Sequence, residues 1–182
     1  GVIEVRDLRK RYSAVQAVNG IDLSIDQGEI FAILGPNGAG KTTSVEILEG
    51  FRKRDSGEVR VLDMDPAVRG RNARDFRDRI GIVLQTTSDA GDLTVKETLS
   101  HFSGYYSKPR KASEVIESVG LGEKSNALIH TLSGGQRRRL DVGLGIIGNP
   151  ELLFLDEPTT GFDPEARRSF WELIRTLRDR CT

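Results

Sequence analysis

Residues 35 to 43 read Gly-Pro-Asn-Gly-Ala-Gly-Lys-Thr-Thr, and the fold of the chain turns on them. They follow the pattern G-x-x-x-x-G-K-[ST], with Gly35, Gly40, Lys41 and Thr42 at its fixed positions. A loop of this kind brings several backbone N–H groups onto phosphate oxygens, so side chains must be absent where the backbone comes close. Gly35, Gly38 and Gly40 meet that demand, and Asn37, Ala39 and Thr43 complete the candidate cradle. The preceding run Glu29-Ile30-Phe31-Ala32-Ile33-Leu34 is predicted as a short apolar strand, and Lys41 to Glu49 as a helix stopped by Gly50. The loop then lies where a strand feeds a helix N-terminus, whose partial positive charge favours phosphate. On this reading the chain holds a triphosphate such as ATP: Lys41 reaches the β and γ phosphates, and the Thr42 hydroxyl ligates Mg²⁺.

Two further segments point the same way. Residues 152 to 158, Leu-Leu-Phe-Leu-Asp-Glu-Pro, form an apolar run ending in two acids, as a buried parallel strand does when it delivers carboxylates at its C-terminal end. Asp156 is then placed to hold Mg²⁺ through water, and Glu157 to orient and deprotonate an attacking water. Residues 132 to 136 read Leu-Ser-Gly-Gly-Gln. Ser133 and Gln136 have the spacing of a capping box, and Leu140, Leu144 and Ile147 supply a helical stripe behind it. Capping leaves Gly134 and Gly135 unexplained, because each glycine costs a helix roughly 1 kcal/mol against alanine. Bare backbone at a helix N-terminus makes sense if a second anion docks there.

The order of these motifs resembles the nucleotide-binding domain of ATP-binding-cassette (ABC) ATPases, over nearly the whole chain. Leu-Ser-Gly-Gly-Gln is that family's signature. The phrases Glu49-Gly50-Phe51-Arg52 and Pro158-Thr159-Thr160-Gly161-Phe162-Asp163-Pro164 further resemble bacterial drug-export ATPases of the daunorubicin-resistance type. The resemblance implies an α/β P-loop NTPase core with an antiparallel β region and an α-helical subdomain. It puts the core with its β region at residues 1–85 and 137–182, and the helical subdomain at about 86–136. It implies that Tyr12 stacks on adenine, and that Gln85 contacts both Mg²⁺ and the attacking water from a loop that touches a transmembrane permease. Two cassettes pair head to tail in that family, as a homodimer or with another ABC domain. Ser133, Gly134, Gly135 and Gln136 of one then face the γ phosphate held by Lys41 of the other. The expected function is the ATP-hydrolysing motor of an exporter of drugs, antibiotics or other hydrophobic compounds, on the cytoplasmic face of a membrane. The family also places a γ-phosphate histidine beyond one more strand, so the chain is expected to be C-terminally truncated and its own turnover to suffer.

Composition narrows the alternatives. Twenty-seven basic and 27 acidic residues cancel, so no global field draws the chain to nucleic acid or anionic lipid. The arginines at 69, 71, 74, 77 and 79 are read as a solvated helix face, and Arg137, Arg138 and Arg139 as solvent-exposed, the alternative being that they strengthen the positive potential around phosphate. The lone Cys181 excludes an intrachain disulfide. The most apolar stretch, Ile146 to Leu155, is broken by Gly148, Asn149, Pro150 and Glu151, so a membrane path must come from a partner. Rival readings are a soluble ABC ATPase acting on ribosomes or DNA, and an ATP-sensing module without turnover. Too few residues separate Gln85 from Leu132 for a coiled-coil arm, which weighs against the DNA-acting relatives, and Glu157 weighs against the sensor. A helical pattern runs from Leu93 to Val119, with Leu99, Phe102 and Tyr106 on one face. Pro164 opens a last helix behind Asp163 as its N-cap.

Overall fold

The computed structural model describes residues 1–83, 92–156, 159 and 161–180. The chain divides into two compact units, Gly1–Phe76 and Arg77–Thr182.

The first unit is built on β1 (Ile3–Tyr12), β2 (Val15–Ile25) and β3 (Ser56–Val61), an antiparallel sheet in the order β2-β1-β3. Its register runs from Ile3 opposite Ile25 to Tyr12 opposite Val15. Ile3, Val5 and Leu8 are buried, although strict alternation would bring residue 7 inward. A bulge between Val5 and Leu8, with Asp7 at φ 48°, adds the extra residue and returns Leu8 to the core face. Gly57 crosses this bulge at φ 95°, where a Cβ would lie 2.4 Å from the Asp7 carbonyl oxygen. Helix α1 (Lys41–Leu48) adds Ile47 and Leu48 to the core that the sheet makes with Val18, Val59 and Val61. Gly50, at φ 80°, follows its end as predicted. Helix α2 (Arg71–Arg79) buries Phe76 and leaves Arg71, Arg74 and Arg77 in solvent.

The run 29–34 departs from expectation. It carries no strand pairing, and Ile30, Phe31, Ile33 and Leu34 are exposed, Leu34 by 88%. An apolar run states a preference for burial, but a strand exists only where a neighbour supplies the ladder, and the first unit's sheet is antiparallel and takes β1, β2 and β3 alone.

In the second unit β4 (Ile80–Val83) and β5 (Leu152–Leu155) pair in parallel, Ile80 opposite Leu152 and Val83 opposite Leu155. Helix α3 (Val95–Ser103), α4 (Ala112–Ser118), α5 (Gly134–Ile146) and α6 (Pro164–Arg180) close around them. One core joins all four helices: Val95 and Leu99, Val115 and Ile116, Leu140 and Val142, Phe170 and Leu173. Thr94 caps α3 through a capping box with Glu97, and the Asp163 carboxylate accepts from the Ala166 amide at 2.8 Å at the start of α6. Helix α5 lies directly on β4 because two glycines meet, and a Cβ on Gly81 would stand 2.1 Å from the Gly145 carbonyl oxygen. The predicted Leu99, Phe102, Tyr106 face is broken. Leu99 is fully buried, but α3 ends at Ser103 and Phe102 is 41% exposed.

Candidate functional site

In the first unit, Gly40 is the N-cap of α1 with φ 79° and ψ 7°. Glycine is required there twice over, by the left-handed backbone and by the Ala17 carbonyl oxygen of β2, which a Cβ would meet at 2.0 Å. Gly38, at φ 83°, has open space around it, so conformation alone calls for glycine. The amides of Lys41, Thr42 and Thr43 precede the first intrahelical acceptor, since the Ser44 amide is the first to reach back, to the Gly40 carbonyl at 2.9 Å. The Lys41 ammonium donates to the carbonyls of Gly35 at 2.5 Å and Pro36 at 2.8 Å, and the Ala39 amide donates to the same Pro36 carbonyl at 3.2 Å. The loop is thus closed on itself, with Gly35, Asn37, Gly38, Ala39 and Thr42 exposed. Tyr12, at the end of β1 in the same unit, is 37% exposed, with the Lys10 ammonium 5.4 Å and the Arg52 guanidinium 5.5 Å from its ring centroid.

In the second unit, the Ser133 hydroxyl accepts from the Gln136 amide at 3.2 Å, and the Gln136 side chain accepts from the Ser133 amide at 3.0 Å. The capping box therefore forms as the sequence predicted. Around Gly134 and Gly135 there is nothing within 4 Å of where a Cβ would stand, and both have ordinary helical φ. Neither packing nor backbone strain calls for glycine at these positions. At the end of β5, the Asp156 amide donates to the Val83 carbonyl at 3.1 Å, which fixes the residue one step past the strand. Gln85 and Glu157 lie outside the described residues, as do Thr87, Ser88 and Asp89 of the loop after β4.

The three arginines behind the signature are not solvent-exposed as expected. Arg138 is 7% exposed; its Nη1 donates to the Asp141 carboxylate at 3.4 Å and its Nη2 to the Asp156 carbonyl at 3.2 Å. Arg139 donates to the Val119 carbonyl at 3.1 Å and to the Ser169 hydroxyl at 2.7 Å, tying α5 to α4 and α6, while Arg137 reaches the Ile129 carbonyl. Guanidinium groups have enough donors to saturate carbonyls at the ends of several elements, which draws them inward here. Asp141, three residues after Arg138, was the available signal, since an acid at that spacing on one helix face offers a partner.

Taken unit by unit, the exposed groups fit phosphate oxygens. Exposed backbone amides, a lysine and two glycine-bearing helix starts suit phosphate oxygens. Each unit by itself carries one oxygen donor of the kind a hard divalent cation takes, the Thr42 hydroxyl in the first and the Asp156 carboxylate in the second. Among the described residues no group of three or more His, Cys, Asp or Glu side chains could hold a metal alone.

The chain is similar to several characterised proteins. A family model described as ABC transporter matches residues 18–160. The Nod factor export ATP-binding protein I of Burkholderia orbicola is 39% identical over 180 residues, covering 96% of this chain and 58% of that protein. The daunorubicin/doxorubicin resistance ATP-binding protein DrrA of Streptomyces peucetius is 40% identical over 185 residues, covering 99% and 55%. The chain thus spans little more than half the length of these relatives. Among solved structures, cbiO1 from Clostridium perfringens, part of the ABC transporter complex cbiONQ, superposes with a TM-score of 0.88 at 28% identity, over 99% of this chain and 74% of that one. An ATP-binding cassette in its ADP conformation has a TM-score of 0.85 at 24% identity, over 98% and 77%, which speaks for the fold.

Proposed function

Because the chain belongs to the ABC transporter family, we propose that it is the ATP-binding and ATP-hydrolysing part of an exporter. The observation that carries this reading is the Gly35–Thr43 loop. Two left-handed glycines, a helix start with spare amides and a lysine bonded to loop carbonyls together make a seat for phosphates. In use, the amides from Gly38 to Thr43 take the β phosphate, and Lys41 turns from its carbonyls to the β and γ phosphates. Tyr12 stacks on adenine. Thr42, Asp156 and Gln85 would hold Mg²⁺, which when bound would neutralise the charge that develops on the phosphates. Glu157 and Gln85 orient a water against the γ phosphorus; Glu157 takes its proton as the water oxygen bonds and the bridging oxygen leaves with ADP. Ser133 to Gln136 of a second cassette meet the same γ phosphate, each cassette completing the other's site. The open space over Gly134 and Gly135 supports this.

A transmembrane permease completes the transporter, with this chain on its cytoplasmic face. Among the described residues no helix is long and apolar enough to cross a membrane. A cluster of edge-to-face rings, His101, Phe102 and Tyr105, stands at the end of α3 with Phe102 and Tyr105 exposed, and suits an apolar docking partner. The Nod factor export names support export, and DrrA's name, of daunorubicin and doxorubicin resistance, supports a drug cargo, while the Nod factor relatives support other exported compounds. The test is phosphate release by the purified chain and its Glu157→Gln variant. The variant should bind ATP like its parent and release phosphate at least about 100-fold more slowly. Equal release rates from a parent that turns ATP over would remove Glu157 as the base, and a parent that binds no ATP would remove the function.

A further inference from the structure

Asp156 is held on both sides of its Cα. Its amide is fixed by the Val83 carbonyl of β4, and its carbonyl accepts from Arg138 of α5. The first bond continues the parallel pairing of β4 with β5 and needs no further explanation. The second does. It comes from a guanidinium buried to all but 7%, on the helix that starts with Ser133, beside the carboxylate of Asp141, itself 6% exposed. Burying such a pair gains little or nothing in stability over apolar residues of similar size, so stability alone gives no reason for an arginine at this place. Its planar fork does what no apolar residue can: one arm stays on Asp141 within α5 while the other crosses to the peptide that carries the Asp156 side chain.

We infer that Arg138 is a positioning residue that sets the Asp156 carboxylate for the divalent cation and ties it to the signature helix. This rests on the reading of Asp156 as a Mg²⁺ ligand. The role inferred for Arg138 is carried through Asp156 and needs no contact with nucleotide or cation. It acts by fixing the peptide plane from which the carboxylate hangs, so a shift of the first turns of α5 is felt at the end of β5. The link is short, because Arg138 lies only five residues after Ser133 in the same helix.

The readout is the ratio of ATP affinities in Mg²⁺ and in EDTA, measured by calorimetry on the whole chain. Removing Arg138 alone takes the cation from beside a buried carboxylate and endangers the fold. The working variant is therefore Arg138→Met with Asp141→Leu, which exchanges the pair for apolar side chains of similar size. It should melt like its parent and bind ATP in EDTA like its parent, while the gain from Mg²⁺ falls about tenfold, the scale of one hydrogen bond from a charged donor. Asp141→Asn, which keeps the bond to the Asp156 carbonyl, should retain the parental ratio, and Asp156→Asn should abolish the gain. A folded double variant with an undiminished Mg²⁺ gain overturns the inference and leaves Arg138 a staple. So does an equal loss in EDTA, or an Asp141→Asn variant as impaired as the double. If Asp156→Asn keeps the gain, the reading of Asp156 as a metal ligand falls and the inference falls with it.

Discussion

Replacing both Gly134 and Gly135 by alanine separates a structural from a functional reason for the glycines better than any other change to this chain. Both lie in the first turn of α5 with helical φ, and a Cβ on either meets nothing within 4 Å. Each Gly→Ala exchange in a helix interior gains about 1 kcal/mol, and the first turn returns part of that. A gain of about 1–2 kcal/mol in a domain of this size raises Tm by about 2–8 °C. The same two methyl groups stand over the amides that a phosphate of the paired cassette would approach. The double variant should therefore melt higher in a differential scanning experiment and yet lose the ATP-dependent dimer seen by light scattering. A lower Tm would show that the glycines serve the fold after all. A higher Tm with undiminished ATP-dependent pairing would refute the docking of an anion at this helix start.

Gly40→Ala should act in the opposite direction, since it forces a side chain into the left-handed region, at about 1–2 kcal/mol, and against the Ala17 carbonyl as well; a urea midpoint equal to the parent's would contradict the geometry. Lys41→Ala removes the charged donor from an exposed loop without touching the core, so the variant should fold normally and lose at least about tenfold in ATP affinity; equal affinities by calorimetry would sink the assignment. Hydrogen bonds from Arg54 and Arg79 hold the carboxyls of Asp65 and Glu151 below their usual range. Folded values below unfolded ones mean that these pairs stabilise the fold above about pH 4, and that the contribution is lost as pH falls through the folded values. With Asp65 44% and Glu151 54% exposed, each is worth under about 1 kcal/mol after screening. The stability deficit of Arg79→Gln should accordingly shrink between pH 7 and pH 3, and a deficit unchanged at pH 3 would show that Arg79 acts by packing.

Local chemistry was the legible part of this sequence. The turn at Gly50, the Ser133–Gln136 capping box and the Asp163 cap are decided by residues within a few positions of each other, and all formed where the spacing placed them. The phosphate loop is of the same kind, since Gly38 and Gly40 announce their left-handed backbone by being glycine. What spacing could not supply was partnership across the fold. Residues 29–34 carry the pattern of a strand without the ladder that would make them one. The bulge at Asp7, which keeps Leu8 in the core, depends on Gly57 from a strand nearly 50 residues away. The arginines after the signature were misplaced for the same reason: their acceptors, the carbonyls of Ile129, Val119 and Asp156, are main-chain groups that no side-chain pattern reveals.

The Lys41 ammonium has a consequence for what the loop accepts. Its bonds to the carbonyls of Gly35 and Pro36 satisfy the ammonium within the loop itself. An incoming ligand must outbid two charge-assisted bonds before it gains the lysine. A single small anion at the helix start meets the amides but offers few oxygens in exchange for the carbonyls it displaces. A polyphosphate can occupy the amides with one phosphate and present another where the lysine swings, recovering both bonds at once. On the proposed function this contact would act as a threshold, favouring over a single orthophosphate a chain of phosphates long enough to reach both ends of the exchange.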